Sequence, residues 1–152
     1  MELPTPSNEQ ITIVENVSNG FNVKVDAVAG SGKTTTILHI AKALPKKKIL
    51  LVTYNKRLKD ETREKAININ AHNLEVHSYH AFCVKYFSSE ASRDQGIVRV
   101  LNREQIPRRP INFNIIIIDE AQDMKPLYFK LMVHVIKHNN PNAVVYSSVS
   151  SV

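Results

Sequence analysis

The sequence predicts an α/β fold with a mainly parallel sheet. Apolar segments typical of strands alternate with helical segments along the 152 residues, which is the pattern of a parallel sheet with crossover helices. Residues 115–118 are four consecutive isoleucines, as expected for a strand that is covered on both faces. With 43% hydrophobic residues, the chain can form a single domain over residues 1–152 with its own core.

The first half of the chain is predicted to begin with a helix. Ser7 can cap this helix because its hydroxyl accepts from N–H groups of the first turn, and Asn19-Gly20 closes the helix. Pro45 ends a later helix because its ring cannot continue one. The elements predicted for this half are a helix from Ser7 to about Val17, a strand at 21–28, a helix at 32–44, a strand at 49–54 and a helix at 56–67.

The second half continues the alternation with one interruption. Leu127, Leu131 and Val135 recur at helical spacing and predict an amphipathic helix. Residues 88–113 are predicted to be an irregular insertion, and the tail at 147–152, made only of serine and valine, is predicted to fray. The elements predicted for this half are a short strand at 74–76, a helix at 79–87, a strand at 115–118, a helix at 127–137 and a strand at 143–146.

Positive charge is concentrated in one segment of the chain. The net charge is +6, and residues 42–65 alone carry nine basic and three acidic side chains. Contact with a nucleic-acid backbone requires such a segment. A solvated helix face with ion pairs inside the helix is the alternative interpretation.

The composition also indicates a compartment. Cys83 is the only cysteine, so no internal disulfide can form and a reducing environment is expected. No apolar run reaches the roughly 18 residues of a membrane helix, and the N-terminus lacks the layout of a signal peptide. We therefore expect a soluble intracellular protein, in either the nucleus or the cytoplasm, without a membrane partner.

A phosphate-binding loop is predicted between the first strand and the next helix. The segment at 27–34 reads Ala-Val-Ala-Gly-Ser-Gly-Lys-Thr, with Ala27 where the general pattern has glycine. Small residues let consecutive N–H groups surround phosphate oxygens, and the helix N-terminus adds partial positive charge. Lys33 would contact the β- and γ-phosphates, and the Thr34 hydroxyl would bind Mg²⁺. The predicted nucleotide ligands here are Ala29, Gly30, Ser31, Gly32, Lys33, Thr34 and Thr35.

Acidic residues follow the isoleucine strand, in the sequence Asp119-Glu120-Ala121-Gln122-Asp123. Ligands of open α/β sheets bind beyond the carboxyl ends of the strands, so these residues would face the phosphate loop. Asp119 can hold Mg²⁺ through its waters, and Glu120 can accept a proton from the attacking water. Gln122 can hydrogen-bond that water or the γ-phosphate. An acidic helix start is the alternative.

The two motifs together resemble those of superfamily 1 DNA helicases of the UvrD/Rep type and of the related F-box DNA helicases. Residues 7–10, within an N-terminal helical region at 1–20, resemble the Q motif, which implies that Gln10 reads the adenine edge. Residues 52–58 resemble motif Ia, and residues 76–82 resemble the Thr-x-His-Ser-Phe segment that follows it. The resemblance covers residues 6–146 and implies a three-layer, RecA-like P-loop domain that binds ATP and Mg²⁺.

The same resemblance implies contact with single-stranded DNA, with RNA left open. Tyr54 and Asn55 end a predicted strand, and the helix that begins at Lys56 offers N–H groups and cations to a phosphate. Tyr79 could stack on a base if it is exposed, and core packing is the alternative. The predicted DNA ligands are Tyr54, Asn55, Lys56, Arg57, His77, Ser78 and Tyr79.

The resemblance ends after the last predicted strand. The family has Gly-Asp-x-x-Gln where this chain has Ser-Ser-Val-Ser at 147–150, and no second RecA-like domain follows within the 152 residues. Because an arginine from that domain can contribute a factor of about 10³–10⁵ to the rate, we expect slow hydrolysis and no unwinding by this chain alone. Two hypotheses stay open: the first ATPase domain of a DNA helicase, and a truncated, non-catalytic remnant that binds nucleotide or single-stranded DNA.

Overall fold

The computed structural model of the chain describes residues 3–27, 32–121 and 124–149. Within these ranges, strands and helices alternate as the sequence predicts. The strands are β1 (Val23–Ala27), β2 (Ile49–Val52), β3 (Leu74–His77), β4 (Ile115–Asp119) and β5 (Ala143–Val149). The helices are α1 (Asn8–Ser18), α2 (Lys33–Ala43), α3 (Lys56–Asn68), α4 (Tyr79–Tyr86), α5 (Asp94–Asn102) and α6 (Pro126–Asn139).

The strands form one sheet in the order β1-β5-β4-β2-β3, and every neighbouring pair is parallel. The predicted parallel sheet is therefore confirmed. In the register of the central strand, Ile117 lies between Leu51 of β2 and Val145 of β5. Because all strands run in the same direction, their carboxyl ends share one edge, which we call the carboxyl edge. Their amino ends share the opposite edge, the amino edge.

Helices cover both faces of the sheet and give a three-layer architecture. The isoleucine strand shows how the layers divide the core, because side chains alternate between the faces of a strand. Ile115 and Ile117 pack with α1, α2 and α3, whereas Ile116 and Ile118 pack with α4, α5 and α6. All four isoleucines are at most 2% exposed. The expectation that this strand is covered on both faces is confirmed.

The prediction that residues 88–113 form an irregular insertion is wrong for part of this region, because it contains helix α5. Ile97 and Val100 of this helix are fully buried against the α4–α6 side of the sheet. The pattern is hard to recognise because Gly96, a weak helix former, lies in its first turn. A Cβ at this glycine would lie 2.0 Å from the carbonyl oxygen of Glu90, so the close packing of α5 requires glycine.

The predicted fraying of the tail is wrong for residues 147–149, because β5 continues to Val149. Ser147 pairs with Val25 of β1 and, on the other side, with Asp119 of β4. Pairing with neighbouring strands supplies backbone hydrogen bonds that the local composition does not indicate. Residues 150–152 lie outside the described residues. In the described part of the chain, none of the helices has the length and apolar character needed to cross a membrane.

Candidate nucleotide site and nucleic-acid edge

Helix α2 begins at the carboxyl edge, directly after the predicted phosphate loop. Gly32 caps the helix with φ 82°, a left-handed conformation that favours glycine. The first N–H groups of a helix have no partner within it, so the turn that contains Lys33, Thr34 and Thr35 can donate to an anion. The predicted ligands Ala29, Gly30 and Ser31 lie outside the described residues, as does Gln122 after β4.

The structure brings Lys33, Asp119 and Glu120 together at this edge. The Nζ of Lys33 lies 2.8 Å from Oδ1 of Asp119 and 3.9 Å from Oε1 of Glu120. The Asp119 side chain is 0% exposed and that of Lys33 is 11% exposed. A buried carboxylate requires a compensating charge, and Lys33 supplies it here.

The two oxygens of the Asp119 carboxylate have different surroundings. Oδ2 accepts a hydrogen bond of 3.0 Å from the Thr53 hydroxyl. Oδ1 is buried and lies 2.8 Å from the Lys33 ammonium, and no other described residue donates a hydrogen bond to it. A buried carboxylate oxygen whose described partner is a side-chain cation becomes a candidate ligand for a hard metal ion when that cation turns to a phosphate.

Glu120 has a left-handed backbone, with φ 50°, which is uncommon outside glycine and asparagine. The hydroxyl of Tyr54 donates to its carbonyl oxygen over 3.5 Å. Its side chain is 22% exposed, so the carboxylate can contact both Lys33 and solvent. Backbone strain of this kind is concentrated at functional sites.

A cavity of about 530 Å³ opens between the first turns of α2 and α3. Gly32, Lys33, Thr34 and Thr35 of the α2 start line it. The other lining residues are Asn55, Arg57, Leu58, Glu61, Lys65 and Glu120. Cations and helix N–H groups lie next to carboxylates, which is the combination that a phosphate with a divalent cation requires.

Comparison with known proteins identifies the family and similar folds. A family model described as an AAA domain matches residues 10–145. The chain belongs to the AAA domain family. A segment of 56 residues is 46% identical to F-box DNA helicase protein 1 of Schizosaccharomyces pombe and covers 36% of this chain and 6% of that protein.

Two solved structures resemble the AAA domain over nearly its whole length. The Sulfolobus solfataricus SWI2/SNF2 ATPase core in complex with dsDNA has a TM-score of 0.59 at 14% identity and matches 97% of this chain. The Pif1 helicase from Candida albicans has a TM-score of 0.54 at 18% identity and matches 95% of it. The chain spans 34% and 32% of those two chains. The RecA-like P-loop fold and the resemblance to superfamily 1 helicases are confirmed.

Gln10 lies beside α2, but its amide group already has partners. Its Nε2 donates to the Thr36 hydroxyl over 3.1 Å, and its Oε1 accepts from the Ser7 backbone N–H over 3.0 Å. The second bond is part of a capping box at the start of α1. The structure therefore uses Gln10 to join α1 to α2, and adenine recognition by this residue stays a prediction.

The predicted DNA ligands at the start of α3 lie at the carboxyl edge. Asn55 caps the helix by accepting from the Leu58 backbone N–H over 3.1 Å. Lys56 and Arg57 are exposed in the first turn, and Tyr54 is 40% exposed just before it. These residues could contact a phosphate and a base without rearrangement of the core.

Direct base stacking by Tyr79 is contradicted, because its ring is only 1% exposed. The ring stacks on Tyr128 at a centroid distance of 4.7 Å and contacts Tyr54 at 6.3 Å. Core packing, the alternative considered for this residue, is therefore correct. Burial raises the pKa of Tyr79 well above its usual value.

His77 and Ser78 also have structural partners. The Nε2 of His77 lies 2.8 Å from the carboxylate of Glu75 on the same strand. Burial raises the pKa of Glu75, but hydrogen bonds from His77, Tyr86 and Lys85 outweigh that effect and lower it to about 2. Ser78 caps α4 by accepting from a backbone N–H of its first turn over 3.1 Å. Contact of His77 or Ser78 with DNA stays a prediction.

The structure divides the basic segment at 42–65 between the two edges of the sheet. Lys46 and Lys47 are exposed in the turn before β2, at the amino edge. Asn73 holds this turn by donating to the carbonyl oxygen of Lys47 over 3.0 Å. Lys56 and Arg57 lie beyond the other end of β2, whose four residues span about 13 Å. Only the second group can reach a ligand at the carboxyl edge.

Thr53 is a residue of the site that the sequence analysis missed. It is 1% exposed, and its hydroxyl contacts both Asp119 and the backbone N–H of Asn55. A polar residue directly after a fully buried strand at the carboxyl edge is the signal that could have identified it.

Proposed function

We propose that this AAA domain binds ATP with Mg²⁺ at the carboxyl edge and hydrolyses the ATP in response to single-stranded DNA. The observation that carries the proposal is the convergence of Lys33, Asp119 and Glu120 on the first turn of α2. A cation, a buried acid and a partly exposed acid at a helix N-terminus are the groups that phosphoryl transfer requires.

The donor set fits Mg²⁺. Oδ1 of Asp119 is buried, its partner among the described residues is the Lys33 ammonium, and Thr34 adds a hydroxyl oxygen on the adjoining helix. Oxygen atoms from carboxylate, hydroxyl and phosphate are the ligands that Mg²⁺ prefers. When bound, Mg²⁺ would neutralise charge on the phosphates.

Each of the three converging residues has a distinct role in this proposal. Lys33 exchanges its ion pair with Asp119 for the β- and γ-phosphates, which leaves Asp119 oxygen atoms for the metal. Glu120 accepts a proton from the water that attacks the γ-phosphorus, while the bond to the β–γ bridging oxygen breaks and ADP leaves. Gln122, by resemblance, would orient that water.

Nucleic acid would bind at the start of α3. Lys56 and Arg57 are exposed where the helix N-terminus also attracts a phosphate, and the half-exposed Tyr54 ring offers a stacking surface to an unpaired base. The similarity to a DNA helicase and to an ATPase core in complex with dsDNA supports nucleic acid as the partner. Unwinding would need a second RecA-like domain.

The catalytic proposal is tested by ATP turnover with and without single-stranded DNA. Turnover that DNA stimulates in wild type and that Glu120→Gln abolishes would support it. Nucleotide or DNA binding without turnover would instead support the non-catalytic alternative.

The location of the DNA surface is tested by the salt dependence of binding to a labelled oligonucleotide. Lys56→Ala/Arg57→Ala should remove two phosphate contacts. The plot of the logarithm of the binding constant against the logarithm of the salt concentration should then be flatter, with a slope about 1.4 less negative for a single strand. Lys46→Ala/Lys47→Ala removes the same charge at the amino edge and serves as the matched control. Equal effects of the two double variants would show that only net charge matters and would refute this surface.

A further inference from the structure

A buried chain of hydrogen bonds connects the Asp119 carboxylate to the start of α3. The Thr53 hydroxyl donates its one proton to Oδ2 of Asp119 over 3.0 Å. The Thr53 Oγ1 in turn accepts a hydrogen bond from the backbone N–H of Asn55 over 3.0 Å. Because Thr53 and Asp119 are at most 1% exposed, water cannot easily replace either partner.

We propose that Thr53 is a positioning residue that holds Asp119 for Mg²⁺ and couples it to the DNA-facing helix. The proposal rests on the proposed function, because it assigns Thr53 a role toward the metal of that site. A carboxylate can turn about its terminal torsion and present either oxygen. The hydroxyl fixes Oδ2, so that Oδ1, whose partner among the described residues is the Lys33 ammonium, stays directed to the site.

The coupling to α3 follows from the second bond of Thr53. Asn55 is the N-cap of the helix, and its own side chain accepts from the Leu58 backbone N–H. A shift of the carboxylate on metal binding therefore reaches the backbone next to Lys56 through two hydrogen bonds. Any such coupling is reciprocal: DNA at α3 must change the affinity for magnesium nucleotide by the same factor.

The chain offers a matched control in Thr62. It is also fully buried, and it lies on α3, but its hydroxyl has no hydrogen-bond partner in the part of the chain that the structure describes. Thr53→Val removes the hydroxyl from the chain of hydrogen bonds, and Thr53→Ser keeps it. Thr62→Val makes the same exchange of atoms without breaking a hydrogen bond.

The first measurement is the affinity for a fluorescent ATP analogue, in EDTA and across a Mg²⁺ series. Residues that orient a metal ligand typically change metal affinity 10- to 100-fold, so Thr53→Val should raise the half-maximal Mg²⁺ concentration at least about tenfold. Its affinity in EDTA should stay within about twofold of wild type. Thr53→Ser and Thr62→Val should resemble wild type in both conditions. If Thr53→Val does not fold, Thr53→Cys can replace it. Because a thiol is only a weak hydrogen-bond donor, this variant should also raise the half-maximal Mg²⁺ concentration.

The second measurement is the ratio of single-stranded DNA affinities with and without the magnesium analogue. Wild type and Thr62→Val should give the same ratio, different from one, and Thr53→Val should bring it close to one. An unchanged Mg²⁺ dependence or an unchanged ratio of DNA affinities in Thr53→Val would overturn the proposal for Thr53 alone. The proposal would also be overturned if Thr62→Val changed these two quantities as much as Thr53→Val does. Failure of wild type to bind magnesium nucleotide would instead overturn the proposed function.

Discussion

Lys33→Met should destabilise the folded chain even without nucleotide, because Lys33 compensates the buried charge of Asp119. The two charged groups are 2.8 Å apart and the carboxylate is 0% exposed. At an effective dielectric constant of 20, Coulomb's law gives about 6 kcal/mol for such a pair, and desolvation of both groups offsets part of that energy. Removing one partner of a buried pair typically costs 3–5 kcal/mol, so we expect a loss of about 3 kcal/mol in the free energy of unfolding.

Urea unfolding followed by far-ultraviolet circular dichroism measures this loss. Lys42→Met, at an exposed position in the last turn of the same helix, should change stability by less than about 1 kcal/mol. The double variant Lys33→Met/Asp119→Asn should recover much of the loss, because the amide needs no counter-charge. Equal stability of Lys33→Met and wild type would refute the compensating role of Lys33.

Three further predictions concern catalysis, acid stability and packing. Glu120→Gln should keep nucleotide affinity within about threefold while abolishing DNA-stimulated turnover; retained turnover would reassign the general base. The pKa of Glu75 is lowered from its usual 4.5 to about 2 in the folded chain, so its ionised form stabilises the fold. This contribution to the free energy of unfolding is present above pH 4.5 and is lost as the pH falls toward 2. Glu75→Gln should therefore remove roughly 3 kcal/mol of pH-dependent unfolding free energy, and identical acid denaturation curves would contradict this. Gly96→Ala should cost about 1–3 kcal/mol because its Cβ would meet the Glu90 carbonyl at 2.0 Å, whereas the exposed Gln95→Ala should be neutral; equal melting temperatures would be the contrary result.

The sequence predicted the elements whose signal is local. The isoleucine strand, the serine cap at Ser7 and the proline stop at Pro45 each depend on neighbouring residues only, and the structure has the corresponding elements. Helix α5 depends instead on the close contact of Gly96 with an adjacent turn, and residues 147–149 depend on pairing with β1 and β4. Tertiary contacts of this kind override local propensity and composition.

Part of the candidate site also followed from the sequence. In a parallel sheet the ends of β1 and β4 share one edge, so the meeting of Lys33 with Asp119 could be expected from motif order. The burial of Tyr79 could not be expected from the sequence, because an aromatic residue at a helix start is compatible with both a core and a base-stacking surface. The bond between Thr53 and Asp119 depends on side-chain direction across neighbouring strands, which no sequence motif used here specifies.

Isothermal titration calorimetry of magnesium ATP into wild type and Lys33→Met tests most directly whether the carboxyl edge binds nucleotide. We predict saturable binding of one nucleotide per wild-type chain. Lys33→Met should bind at least about tenfold more weakly, a loss of at least about 1.4 kcal/mol, because the variant lacks the cation at the phosphates. Equal affinities, or no binding heat from the folded wild-type chain, would contradict the assignment of this edge as the nucleotide site.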